Sequence, residues 1–93
     1  MKTLLLMSEK DNVVTCIAPI KKGESQDCAG TMLTAVNDIP VYHKMARSFV
    51  KAGGEVYKYG EVIGLASKDI NPGEHVHIHN LESNRGRGDW KRN

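Results

Sequence analysis

The amino-acid sequence predicts a mostly β, single-domain protein of short strands and hairpins, on three observations. Apolar and β-branched residues fall in the brief runs Leu4–Met7, Val13–Ala18, Thr31–Val36, Val56–Tyr59, Val62–Ala66 and His75–His79, which have the length of strands. Glycines at 23, 30, 53, 54, 60, 64 and 73 separate the runs, and few segments between them reach helical length. The 93 residues make one domain with a thin core, since a chain this short buries only roughly 60–65% of its unfolded surface.

The first run, Leu4–Met7, is cut off by Ser8-Glu9-Lys10-Asp11. That is too short for the hydrophobic region of a secretion signal, so it reads as a first strand. Val13–Ala18 carries Cys16, which with Cys28 forms no CxxC; both thiols are expected to be buried and reduced. A weak repeat follows. Val50-x-x-Gly53-x-x-Val56 and Ile70-x-x-Gly73-x-x-Val76 share a spacing, and Ile20-x-x-Gly23 supplies its first half. Each copy reads as an apolar anchor, a turn needing positive φ, and a strand re-entering the core. Asn71-Pro72-Gly73 is the clearest of these turns. Residues 40–49 are ambiguous: Val41, Met45 and Phe49 stand at i, i+4 and i+8 behind Pro40, which suits a helix of about three turns, while a strand and a loop also fit.

The net charge of +2 is unevenly placed. Residues 84–93 hold Arg85, Arg87, Lys91 and Arg92 against Asp89, a balance of +3, which leaves residues 1–83 at −1. The division is therefore a β domain over 1–83 and a basic tail over 84–93. A basic tail on a near-neutral body disfavours a nucleic-acid surface spread over the fold, and two Arg-Gly pairs fall short of an RNA-binding repeat. The arginines better suit an anionic substrate or partner surface. No segment approaches the ~18 apolar residues of a membrane span, and a cytoplasmic location is expected. A thin core also leaves little room for a cleft on the order of 300–1,000 Å³, so any catalytic site is expected to be shared with a partner.

His75, His77 and His79 alternate with Val76 and Ile78. On a strand, residues two apart share a face, so three imidazoles would line one side while Val76 and Ile78 enter the core. Imidazoles at that spacing can converge on Zn²⁺, Fe²⁺ or Mn²⁺; a merely solvated histidine face is the alternative. His43-Lys44 sets a titratable ring beside a fixed cation, fit for a substrate carboxylate or for a solvated loop. Tyr59, in Lys58-Tyr59-Gly60, sits at a glycine turn between two strands.

Together, Ile39-Pro-x-x-His-Lys-x-Ala46, Val56-x-Lys-Tyr-Gly-Glu-x-Ile-Gly64, Ile70-x-x-Gly-x-x-Val-His-x-His-Asn-Leu81 and Arg85-Gly-Arg-Gly-Asp89 resemble the altronate/galactarate dehydratase family, in its small SAF-type module. The sulfolactate sulfo-lyase small subunit is built on the same module and is the alternative reading, with a non-catalytic sugar-acid or RNA-binding module as the alternative of another class. The resemblance implies a compact β-clip fold, which displaces the helical reading of residues 40–50. It further implies β-elimination of water from a sugar acid, a divalent metal (commonly Fe²⁺, with Mn²⁺ or Zn²⁺ as alternatives) and a large catalytic subunit encoded separately. Self-association is left open. Carried over by motif, His77 and His79 are expected at the metal, His43, Lys44 and Tyr59 in catalysis, and Asn80, Arg85 and Arg87 on the substrate. One departure stands out: the family's module often has an aliphatic residue and then glycine before the histidine, where this chain has Val41-Tyr42.

Overall fold

Residues 3–83 are described by a computed structural model, and all of their regular structure is β. The strands in chain order are β1 (Leu4–Leu5), β2 (Val13–Cys16), β3 (Ser25–Cys28), β4 (Thr31–Thr34), β5 (Lys44–Ala46), β6 (Glu55–Lys58), β7 (Glu61–Ala66), β8 (His75–Val76) and β9 (Leu81–Ser83). They pair antiparallel in a central sheet ordered β1-β2-β5-β8, a β3-β4 hairpin and a β6-β7-β9 sheet. This is the expected mostly β, β-clip architecture, with no helix among the described residues.

The weak sequence repeat has a structural cause. Four turns close with the same bond, from the amide of the fourth residue to the carbonyl of the first: Glu24 to Lys21, His43 to Pro40, Gly54 to Lys51 and Glu74 to Asn71. In each the third residue has positive φ, as a type II turn requires: Gly23, Tyr42, Gly53 and Gly73. Each is preceded by a buried aliphatic anchor, and the anchors bridge in pairs, Ile20 to Ile39 and Val50 to Ile70. The two hairpins match as well. Ala29-Gly30 and Tyr59-Gly60 both place two positive-φ residues at the bend, the geometry that suits the strand twist.

Two apolar clusters fill the interior. Leu4, Val14, Cys16, Ile20, Leu33 and Ile39 belong to one, with Met45; Val13, Val50, Val56, Ala66, Ile70 and Val76 belong to the other. Alternation along β2 explains the split, since Val13 and Val14 point to opposite sides of the central sheet. Cys16 and Cys28 are buried thiols, and burial pushes the Cys16 pKa up to about 11, which keeps it protonated.

One open reading is settled, as the resemblance implied, and two expectations are corrected. The helical spacing behind Pro40 is a turn followed by β5: Met45 is buried, but Val41 and Phe49 are exposed. The run His75–His79 is a strand only over His75–Val76, and residues 77–80 form a turn. Consequently Val76 enters the core as expected, whereas Ile78 stands in solvent. β3 and β9 were not expected from hydrophobic pattern. No helix of the described residues is long and apolar enough to cross a membrane.

Candidate metal centre

Register gathers the histidines. β5 pairs antiparallel with β8 so that Lys44 faces Val76 and Met45 faces His75. One step further along the ladder puts His43 across from His77, on the face that Met45 and His75 share. The rings accordingly meet: His43 and His77 stack with centroids 4.5 Å apart, and His43 and His75 lie 5.0 Å apart. His43 Nδ1 and His75 Nε2 are hydrogen-bonded at 2.8 Å. One ligand nitrogen from each of His43, His75 and His77 falls within 4.8 Å of the others.

Four bonds hold this geometry. The Cys16 amide donates to the His43 carbonyl at 2.9 Å, fixing the start of β5 to β2. The His75 amide donates to Asn37 Oδ1 at 3.1 Å. Asn80 does the most. Its Oδ1 accepts from the His77 amide and its Nδ2 donates to the His75 carbonyl, each at 2.9 Å. The side chain thus replaces a strand partner for β8 and forces the turn.

The cluster suits a divalent metal on chemical grounds. Two nitrogens at about 2.1 Å from one ion would stand roughly 3–3.4 Å apart, close to the 2.8 Å of the His43–His75 pair. Burial, then the charges of His43, His79, His77 and Lys44, lower the His75 pKa below its usual value. A ring kept neutral has its lone pair ready for a metal.

Lys44 points to the opposite face of β5 from His43 and is half-buried. Its pKa is lowered by burial and then by the neighbouring charge of Lys58. It lines a groove of about 330 Å³ with Ile63, His77, Ile78 and Leu81, so His77 borders both the histidine cluster and the groove. A larger hollow of about 690 Å³ lies at β1 and β3, between Leu4–Leu6 and Gln26–Ala29. None of the histidines lines it, and the candidate site is therefore the smaller groove.

The structure thus brings together His43, Lys44 and His77 from among the expected site residues, and adds His75. His79 is exposed, with its ring 5.4 Å from that of His75 and outside the three-nitrogen group. Tyr59 sits on the β6–β7 bend. Its amide and that of Gly60 donate to the buried Asp11 carboxylate at 3.0 and 2.8 Å, and its exposed ring meets Lys58 Nζ at 5.0 Å. Asn80, expected on the substrate, is fully buried with both ends of its amide engaged by backbone. Arg85 and Arg87 lie outside the described residues. Sequence reasoning underrated His75 and overlooked Lys58. The signal for His75 was the pairing of residues 43–45 with 75–77, which no local pattern reveals.

The sequence profile of the altronate/galactarate dehydratase SAF domain matches residues 2–84. The chain is 38% identical over 84 residues to altronate dehydratase of Bacillus subtilis (strain 168), covering 90% of this chain and 17% of that protein. It is 36% identical over 74 residues to altronate dehydratase of Escherichia coli (strain K12), covering 80% of this chain and 15% of the relative. It is also 44% identical over 61 residues to (2R)-sulfolactate sulfo-lyase subunit alpha of Paracoccus pantotrophus, covering 66% of this chain and 91% of the subunit. The chain therefore spans less than a fifth of the two dehydratases and nearly all of the sulfo-lyase subunit.

Proposed function

This chain belongs to the family of altronate/galactarate dehydratase SAF domains, and on that footing we propose that it is one component of a lyase that removes water from a sugar acid, leaving a 2-keto-3-deoxy acid. The observation that carries the proposal is the convergence of His43, His75 and His77 beside the Lys44 groove. In this reading the three imidazoles hold a divalent metal, Fe²⁺ first, with Mn²⁺ and Zn²⁺ as alternatives. A metal there supplies positive charge where negative charge develops during elimination.

The chain's own residues do the rest of the positioning. Lys44 receives the substrate carboxylate at the groove wall. An ammonium taken partly out of water and set near Lys58 gains from an anion more than a solvated lysine does. Ile63 and Leu81, partly buried in the same groove, lie along the carbon chain. Asn80 acts as a positioning residue, holding the His77 turn. The base that takes the proton beside the carboxylate is assigned to a larger catalytic body, because the triad is committed to the metal and Lys44 to the anion. Arg85 and Arg87 are assigned to the anionic substrate on their chemistry alone. The reaction is placed in the cytoplasm.

A second reading rests on the 44% identity to the sulfo-lyase subunit along 91% of its length. There the leaving group is sulfite, and the anion held by Lys44 belongs to a sulfonate substrate. Both readings are tested by assaying the assembled lyase on altronate, galactarate and sulfolactate after chelation and again with Fe²⁺, Mn²⁺ or Zn²⁺. A keto acid formed from a sugar acid with metal restored supports the first. Sulfite from sulfolactate alone supports the second, and no elimination from any of the three overturns both.

A further inference from the structure

The most exposed large apolar side chains of the described residues are Ile78 at 84% and Tyr42 at 74%. Each is the immediate chain neighbour of a triad histidine, Tyr42 of His43 and Ile78 of His77, whose rings stack 4.5 Å apart. The two largest apolar exposures of the described residues thus both adjoin the histidine cluster. A scatter of single exposed apolar residues is ordinary; that the two most exposed both adjoin one site is not.

Both are held outward by the backbone. Asn80 forces the turn that carries Ile78 out of the sheet. Tyr42 has φ +69° at the third position of its turn, and the equivalent position in the other three turns is Gly23, Gly53 or Gly73. Positive φ is disfavoured for any residue with a Cβ, and an exposed ring gains little packing within this chain to offset it. Backbone strain retained beside a site is a mark of function.

We infer that Tyr42 and Ile78 form the docking face on which the larger body of the lyase closes over the histidine site. The inference rests on the reading of this chain as a lyase component, and it names the surface that reading leaves open. Its occupant is a protein body. In the two altronate dehydratases the matching segment is 17% and 15% of the chain, so most of each lyase lies outside the part this chain resembles. Outward apolar residues, aromatic ones above all, are the anchors such interfaces use, and the three histidines they adjoin are only partly buried.

The test is a full-length chimera in which this chain replaces the matching segment of the Bacillus subtilis altronate dehydratase. Side-chain oxidation by hydroxyl radicals is compared between the chimera and this chain alone. Tyr42 and Ile78 are expected to oxidise at least tenfold more slowly in the chimera, while Met32, 63% exposed on β4, keeps its rate. Ile78→Asp in the chimera is expected to return Tyr42 to its rate in the free chain, and Met32→Asp to leave it protected. Tyr42→Gly, which relieves the turn, is expected to keep the fold and restore oxidation of Ile78. Equal oxidation of Tyr42 and Ile78 in chimera and free chain overturns the inference. Altronate turnover is read in parallel. Protection without turnover supports the docking face and removes the dehydratase assignment; turnover without protection does the reverse.

Discussion

The turns at 71–74 and 40–43 share one backbone design and differ in what occupies their third position. Gly73 has φ +89°, and a Cβ built on it would lie 1.9 Å from the Thr34 carbonyl oxygen. There both conformation and space exclude every other residue. Tyr42, at the same place in its turn, has the same sign of φ and carries a large ring in open solvent. The fold dictates glycine in the first case. In the second it merely favours glycine, and the chain forgoes it beside the histidine site.

The largest effect expected from breaking this comparison is at Gly73. Gly73→Ala should cost about 3 kcal/mol or more in chemical denaturation, because a backbone clash adds to the strain. Gly53→Ala, with nothing within 4 Å of the new Cβ, should cost only about 1–2 kcal/mol from φ alone. Equal losses would remove the distinction between the two kinds of turn. Next comes Asn80→Ala, expected to cost about 1–3 kcal/mol because it strands the part-buried His77 amide and His75 carbonyl, and to weaken metal binding with it. Asn80→Asp keeps the oxygen that accepts from His77 and should fall between.

These substitutions also mark what could be read in advance. The glycine-punctuated runs betrayed the hairpins, and Ile20, Val50 and Ile70 betrayed the anchors, because both signals are local. β3 escaped because Ser25-Gln26-Asp27-Cys28 buries only its last residue and so has no alternating apolar pattern. The end of β8 escaped because the Asn80 amide competes with the sheet for its backbone, turning an apparently regular His-x-His-x-His strand into a bend. The histidine cluster was half legible. Two of its histidines are two residues apart, but His43 arrives from 32 residues away through a strand register that hydrophobic spacing left undecided between helix and strand.

A smaller effect concerns pH. The His75 pKa is lowered in the fold, chiefly by burial and then by His43, so the unfolded chain takes up this proton first. Stability is then fully present above the ordinary histidine pKa near 6.5 and declines as pH falls from there toward the lowered value. Thermal unfolding of the metal-free protein between pH 7.5 and 5 should show that decline, with a shallower slope in His75→Gln. An unchanged slope would assign the dependence to other groups. The smallest expected effect is a gain: Tyr42→Gly should stabilise the isolated chain by about 0.5–1 kcal/mol through release of the strained φ, less the entropy glycine returns to the unfolded state. A loss of stability instead would mean that the ring packs against the chain.

The most direct measurement is calorimetric titration of the full chain with Zn²⁺, and with Fe²⁺ under anaerobic conditions, in the native protein and four single variants. One site is expected. His43→Ala, His75→Ala and His77→Ala should each weaken it at least tenfold, and His79→Ala should bind within about twofold of the native chain, the cluster resting on ring nitrogens that only the first three bring together. Binding lost in His79→Ala, or kept in His75→Ala, would contradict a site made of His43, His75 and His77.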